Sequence, residues 1–357
     1  MNHPAPQWPF VSRWISIALF LLSSQAIAAE KPGAFLGAKH TDYPAWFKDS
    51  FLNLQEDIGE AKSQNKRVML LFTQDNCPYC NALVERNLAQ HDIETYLRKN
   101  FEVLPINMWG DREVTTLDGK RMTEKQFASS LKVQFTPTLI FFDEAGQSVL
   151  RLNGYLPPAR FKTALEFVGL HKEKQMTYRD YVAANQPAGG GEMIHEDFFK
   201  VPPYNLSRSG RPAKPIAVFF EQKDCPSCVE LHSKVLPDQE TRNIIAKFDA
   251  IQLDMWSDTP VITPQGKKTT ARQWAKALDV KYAPSIIVFN EQGKEIIRAE
   301  AYFKIFHTQG IFTYVLSGAY KTEPNFQRYL SAKGEHMREQ GKDVDIWRTV
   351  DEPAGKQ

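Results

Sequence analysis

Cysteine is scarce in this sequence, with four in 357 residues. Small secreted scaffolds held together by disulfides use far more cysteine in far shorter chains, so that class is excluded. An excess of charge of one sign is lacking too. Lys and Arg number 44 against 42 Asp and Glu, a formal net charge of +2, which leaves no electrostatic footprint for a nucleic acid or a membrane surface. Long apolar runs are missing: none after residue 29 approaches the ~20 residues that a spanning helix needs. Proline is plentiful at 22, but it is scattered and follows no repeat. What is there, 42% hydrophobic and 24% charged residues, is the composition of an ordinary globular protein. A chain of this length exceeds one small core, and two domains are expected.

The N-terminus reads as an export signal over residues 1–29. Arg13 precedes the apolar run Trp14-Ile-Ser-Ile-Ala-Leu-Phe-Leu-Leu22, and Ala26-Ile-Ala28 supplies a small-x-small cleavage site. The run is too short for an uncleaved anchor. No cysteine follows the cleavage site to carry a lipid, and the C-terminal Pro-Ala-Gly-Lys-Gln lacks a retention tetrapeptide. The expected location is a bacterial periplasm, with no membrane span after cleavage.

All four cysteines fall in two Cys-x-x-Cys pairs, Cys77-Pro-Tyr-Cys80 and Cys225-Pro-Ser-Cys228. Each pair follows a short apolar run, Val68-Met-Leu-Leu-Phe-Thr73 or Pro215-Ile-Ala-Val-Phe-Phe220, that reads as a buried strand, and each leads into an amphipathic helix. The placement has a chemical reason. The first cysteine falls at a helix N-terminus, where unpaired N–H groups and the positive end of the dipole favour a thiolate. Pro78 and Pro226 suit the first helical turn. The second cysteine lies one turn on, in reach of a mixed disulfide formed at the first. A disulfide across so short a loop is a poor staple, which favours chemistry over scaffolding. Structural disulfides and metal binding are the alternatives. A zinc site using all four cysteines needs pairs from two domains to converge, and Cu(I) suits a single pair, but no Met or His cluster accompanies either. No metal and no cofactor are expected.

Around the first pair the pattern gives a polar lead-in over 30–43 and an amphipathic helix over 44–61. Strands follow over 68–73, 101–109, 135–142 and 148–152, with a hairpin turn over 117–120, a short helix over 124–131 and a closing helix over 158–170. The second half repeats the first. The two first cysteines are 148 residues apart, and Trp109/Trp256, Gly119/Gly266, Pro137/Pro284 and Gly146/Gly293 are each 147 apart. Matches in one register mean a tandem duplication, hence two domains, over 45–171 and 213–320. Residues 172–212, with Gly189-Gly-Gly191, read as a linker carrying one helix over 177–184. Residues 321–357 read as a polar C-terminal tail, with Phe326, Tyr329 and Leu330 able to dock as a short helix.

Strand, Cys-Pro-x-Cys at a helix start, then about 60 residues on a Thr-Pro or Ala-Pro leading an apolar strand: this resembles the thioredoxin superfamily. The Asn107-Met-Trp109 and Asp254-Met-Trp256 segments, each followed by a Gly-Lys, look like the periplasmic SoxW-type thioredoxins. The resemblance implies an α/β fold of two tandem thioredoxin-like domains, each a central mixed β-sheet flanked by helices. It implies a cis bond before Pro137 and Pro284, so that Thr136, Pro137, Ala283 and Pro284 form the surface on which substrate thiols dock. There are departures from the pattern. Asn76 and Asp224 stand where plain thioredoxin has Trp, and Leu71 and Phe219 stand where it has a buried acid. Glu221 is the one acid near the second pair that offers itself as a proton acceptor.

The expected function is thiol:disulfide exchange, with Cys77 and Cys225 attacking and Cys80 and Cys228 resolving. The resemblance favours a reductase of cysteine-containing periplasmic proteins, served by a membrane thiol electron donor. The competing readings are a disulfide oxidase or isomerase, and a protein-binding or chaperone module with idle cysteines. Trp109 and Trp256 are expected in core packing rather than in a substrate groove. His232, one turn after Cys228, is expected on a solvated helix face.

Overall fold

The computed structural model describes Met1 and residues 31–185, 191–208 and 213–351; the export signal read over 1–29 lies, apart from Met1, outside the described residues. The described chain opens on β1 (Phe35–Leu36), then α1 (Leu54–Ser63) and β2 (Arg67–Thr73). Next come α2 (Pro78–Ala82), which runs on into a π-helical turn at Leu83–Leu88, α3 (His91–Asn100) and β3 (Phe101–Asn107). A hairpin of β4 (Glu113–Thr115) and β5 (Arg121–Thr123), α4 (Glu124–Ser130), β6 (Thr138–Phe142), β7 (Ser148–Asn153) and α5 (Pro158–Gly169) complete the first unit. The strands order as β3-β2-β6-β7. β2 runs parallel to β3 and antiparallel to β6, which makes the sheet mixed. Every residue of β2 is buried, as a central strand covered on both faces must be, and this is why it reads as an unbroken apolar run.

After α6 (Tyr178–Asn185) and β8 (Tyr204–Asn205) the second unit repeats the plan with β9 (Ile216–Glu221), α7 (Pro226–Lys234), α8 (Gln239–Ile245), β10 (Asp249–Asp254), the hairpin β11 (Pro260–Ile262) and β12 (Lys268–Thr270), and α9 (Ala271–Ala277). β13 (Ser285–Phe289), β14 (Glu295–Ala299) and α10 (Ile305–Leu316) follow, and the chain ends on α11 (Phe326–Glu339) and β15 (Val344–Asp345). The strand order β10-β9-β13-β14 matches that of the first sheet. Side-chain anchors repeat as well. Arg151 donates to the Leu131 carbonyl and Arg298 to the Leu278 carbonyl, both at 2.6 Å, and each donor and acceptor is 147 residues from its counterpart.

Four expectations need correction. The helix expected over 44–61 begins only at Leu54. Leu52 adopts φ +59° just before it, and Trp46 and Phe47 pack under the sheet instead. α3, which sets Ile93 and Leu97 on one buried face, was not expected. The lead-in is structured: Phe35 and Leu36 pair in parallel with Val344 and Asp345, and Arg338 Nε donates to the Gly33 carbonyl at 2.8 Å. The described part of the C-terminal tail, residues 321–351, is packed, and its short docking helix is the long α11. Phe326 and Leu330 on α11 are buried in a core shared with the second domain, because an amphipathic helix with large apolar residues on one face gains most by covering apolar surface.

The repeat therefore extends further than expected. His171 and Gly318, 147 apart, both take the left-handed conformation at a helix end. Each then leads through a 3-10 turn into α6 or α11. These two helices bridge the domains. α6 packs Tyr178, Tyr181 and Val182 into the first domain's core and reaches the second, where Arg179 donates to the carbonyls of Val280 (2.9 Å) and Met255. α11 packs on the second domain's Tyr314 and reaches the first, where Gln327 Nε2 donates to the Gln134 carbonyl at 3.0 Å and the Phe326 N–H to Gln134 Oε1 at 2.8 Å. The cores cross the interface as well: Cys77, Tyr79 and Phe135 pack with the second domain's Phe303 and Phe326, and Tyr282 packs with the first domain's core.

Candidate functional site: two dithiol centres facing the domain interface

Each centre starts from the end of its central strand. β2 and β9 run to the sheet edge, and the chain turns there through Asn76 at φ +57° and Asp224 at φ +48°. Asn and Asp tolerate this left-handed conformation better than other non-glycine residues, which accounts for short polar side chains at these two positions. The next residue caps a helix. Cys77 Sγ accepts the Cys80 N–H at 3.0 Å, and Cys225 Sγ accepts the Cys228 N–H at 3.1 Å. Pro78 and Pro226 occupy the first turn. Both pairs are disulfide-bonded, with Cα atoms 5.3 and 5.1 Å apart.

The Thr136–Pro137 and Ala283–Pro284 bonds are cis, as expected; a third cis bond, Pro202–Pro203, was not. Thr136 faces the first centre, with Oγ1 3.3 Å and its carbonyl oxygen 3.7 Å from Cys77 Sγ. At the second centre the corresponding carbonyl, that of Ala283, is taken by Arg160 of the first domain. Arg160 Nη2 also lies 3.7 Å from Cys225 Sγ.

All four cysteines are buried, between 1% and 4% exposed, but they are covered differently. At the first centre Tyr79, between the two cysteines, is clasped by the second domain and the C-terminal segment. Its ring packs edge-on against Phe303, His307 and Trp347 at 5.4, 5.1 and 4.9 Å between centroids. Its hydroxyl accepts the Lys304 N–H at 2.9 Å. Burial raises its pKa well above the ordinary tyrosine value. The same burial pushes His307 down to about 4, so its ring is neutral at physiological pH. At the second centre the residue between the cysteines is the smaller Ser227, and a cavity of about 320 Å³ opens there. Asp224, Pro226 and Ser227 line it from the second domain, and Leu156 and Arg160 from the first.

Beneath the second centre lies a buried polar network. His232 Nε2 is 3.0 Å from Glu221 and its Nδ1 2.9 Å from Glu196, and Gln252 is 3.4 Å from Nε2. His232 is 4% exposed and not solvated as expected. The two carboxylates outweigh the burial of the ring, and its pKa is raised. The first centre has no such network, since Thr73 and Val84 stand at the equivalent positions. Trp109 and Trp256 are half-buried, and each indole N–H donates to a glutamine of the adjoining loop, Gln74 at 3.0 Å and Gln222 at 3.2 Å. Arg160, Tyr79, His307 and Glu196 were not singled out in the sequence as parts of a site. Each acts on a group distant in the chain, and no local spacing records it.

Among the described residues no cluster of His, Cys, Asp and Glu has a metal-holding arrangement, and no helix is long and apolar enough to cross a membrane.

A family profile described as a thioredoxin-like domain matches residues 54–169 and again 204–315, together well over half of the chain. No curated protein matches. Among solved structures, a thioredoxin-fold protein from Helicobacter pylori is 23% identical over 39% of this chain and 86% of its own, with a TM-score of 0.33. A thioredoxin from Thermus thermophilus is 25% identical over 37% of this chain and 88% of its own, with a TM-score of 0.25. The DsbD C-terminal domain of Neisseria meningitidis, in its reduced form, is 15% identical over 32% of this chain and 91% of its own, with a TM-score of 0.24. The chain belongs to the thioredoxin-like domain family, in two tandem copies, and its two Cys-Pro-x-Cys pairs make it a thiol:disulfide oxidoreductase.

Proposed function

We propose that the protein is a periplasmic reductase of protein disulfides that meets its substrates at Cys225–Cys228. The observation that carries this reading is how the two buried pairs are covered: a cavity lined by Asp224, Pro226 and Ser227 flanks Cys225, whereas at the first centre Tyr79, the counterpart of Ser227, is clasped by Phe303, His307 and Trp347. The reductive direction is supported by the sequence resemblance to SoxW-type thioredoxins, and the location by the export signal.

In the proposed cycle the Cys225 thiolate attacks one sulfur of a substrate disulfide. A mixed disulfide forms and one substrate thiolate leaves. Cys228, after losing its proton, attacks Cys225 Sγ, re-forms the Cys225–Cys228 bond and releases the second substrate sulfur. Two electrons pass to the substrate, whose two thiolates take up two protons. An external dithiol then returns two electrons to the centre. Glu221, hydrogen-bonded to His232 one helical turn after Cys228, is the buried carboxylate we assign to accept its proton. Ala283 and Pro284 hold the substrate backbone once it displaces the Arg160 hydrogen bond. Cys77, Cys80, Thr136 and Pro137 form the first centre, which works when the domains part.

The test is reduction of insulin by dithiothreitol, catalysed by the full chain. Cys225→Ser/Cys228→Ser is expected to lose at least about tenfold in rate, the scale of losing an activated nucleophile, and Cys77→Ser/Cys80→Ser to lose less. A larger loss in the second variant would refute the assignment of sites. Full activity with all four cysteines replaced would put a binding module in place of an enzyme.

A further inference from the structure

Arg160 and His307 hold the same position in the two domains, the first turn of α5 and of α10, 147 residues apart. Each projects onto the dithiol centre of the other domain. His307 packs its ring against Tyr79, and Arg160 brings a guanidinium to 3.7 Å from Cys225 Sγ. One position in the repeat thus delivers a neutral ring to one centre and a cation to the other.

The surroundings of that cation are short of anions. Arg160 Nη1 donates to the Ala283 carbonyl. α6 presents Tyr178 to it and the segment before β13 presents Tyr282, and burial raises both hydroxyls well above the ordinary value, so both stay neutral. Lys223 and Asp224, from the loop before Cys225, line the same cavity, where Asp224 accepts the Gly191 N–H at 3.4 Å. Beneath Cys228, Glu221 and Glu196 are engaged by His232. Among the described residues no carboxylate forms an ion pair with Arg160. Burial lowers the arginine's own pKa, yet a guanidinium keeps its proton at any physiological pH. A buried cation without an anionic neighbour is costly, and an anion created beside it is correspondingly favoured.

We propose that Arg160, carried by the first domain, is a positioning residue for the second dithiol, whose guanidinium stabilises the Cys225 thiolate across the domain interface. The inference rests on the reading of Cys225 as the attacking sulfur. When an external dithiol reduces the centre, two electrons enter the Cys225–Cys228 bond, Cys228 takes up one proton, and the Cys225 sulfur remains as the anion that Arg160 lacks. The dithiol becomes its own disulfide, and its other proton passes to solvent. Arg160 therefore favours the reduced form of this centre, and the domains' closed arrangement sets the poise of a site lying in only one of them.

The test is a titration of the Cys225 thiolate by its ultraviolet absorbance in the full-length Cys77→Ser/Cys80→Ser/Cys228→Ser protein, in which Cys225 is the lone thiol. Replacing Arg160 by Met is expected to raise the midpoint by about one pH unit, the size of shift that one adjacent opposite charge produces, which leaves roughly tenfold less thiolate below the midpoint. Arg160→Lys keeps the charge and is expected to keep most of the effect. An unchanged midpoint in the Met variant overturns the proposal. So does a Lys variant that shifts as far as Met, which would trace the change to lost packing. The titration needs neither substrate nor turnover, so it can fail while the exchange reaction stands, and succeed while that reaction fails.

Discussion

Asn153 Nδ2 donates to Glu300 Oε2 at 2.5 Å, and the two residues occupy one and the same position in the two repeats, 147 apart. Equivalent residues meet only where a pseudo-two-fold axis passes between the domains. The neighbouring pair obeys the same rule: a Cβ on Gly154 would come within 2.8 Å of the Ala301 Cβ. The two domains therefore face each other like the halves of a symmetric dimer joined in one chain, with their dithiol centres turned inward.

Gly154 is the contact through which this closure is most easily disturbed. Its φ of +91° is one that side chains rarely adopt, and the space a Cβ needs is filled by Ala301 and Phe303. Gly154→Val adds strain of about 1–3 kcal/mol to a clash that only separation of the domains relieves. In the reduced protein, alkylation of the cysteines by a bulky maleimide is expected to speed up at least about tenfold, a factor that 1.4 kcal/mol supplies. A rate equal to that of the unmodified protein would mean that closure does not guard the thiols.

Tyr79 closes the first centre with both its ring and its hydroxyl. Tyr79→Phe keeps the ring and removes the hydrogen bond from the Lys304 N–H, at a cost of about 0.5–1.5 kcal/mol in denaturant unfolding. Tyr79→Ala also empties the space between Phe303, His307 and Trp347 and is expected to cost about 3–5 kcal/mol. It should also make the Cys77–Cys80 disulfide reducible at a rate closer to that of Cys225–Cys228. If the two disulfides already react at the same rate in the unmodified protein, Tyr79 is not a seal.

Two buried histidines set opposite pH limits. His307 has its folded pKa pushed down to about 4 from the usual 6.5. The unfolded chain therefore takes up that proton first as the pH falls. The contribution of His307 to stability is complete above about pH 6.5 and is lost progressively down to about pH 4, on the order of 3 kcal/mol in all. His232 has its pKa raised by Glu221 and Glu196 against burial. Its contribution is complete below about pH 6.5 and is lost as the pH rises through the raised folded value. Urea unfolding across this range is expected to show a smaller acid loss for His307→Asn and a smaller alkaline loss for His232→Gln. An acid limb untouched by His307→Asn would contradict the assignment.

Much of each domain was legible because it is local. The apolar run of β2, the cap at Cys77 and the X-Pro before β6 are short-range patterns, and their recurrence 147 or 148 residues on fixed the duplication. The arrangement of the two domains was not legible. Arg160 gave no sign in its own helix that it touches Cys225, and Phe326 and Leu330 gave no sign of which surface they cover. Such contacts join segments far apart in sequence, and an apolar face states only that it is covered. His232 was misplaced for the same reason: its partner Glu196 lies 36 residues upstream, in a stretch read as linker.

The central claim is that both cysteine pairs are redox centres and not staples, and the most direct measurement is the reduction potential of each. Cys77→Ser/Cys80→Ser and Cys225→Ser/Cys228→Ser proteins are equilibrated with defined glutathione or dithiothreitol couples, and the reduced fraction is read by alkylation and mass. Both remaining pairs are expected to titrate as two-electron couples between about −270 and −120 mV, the span of working dithiol proteins, with Cys225–Cys228 the more readily reduced. Pairs that stay oxidised below about −300 mV, as structural disulfides do, would contradict the account.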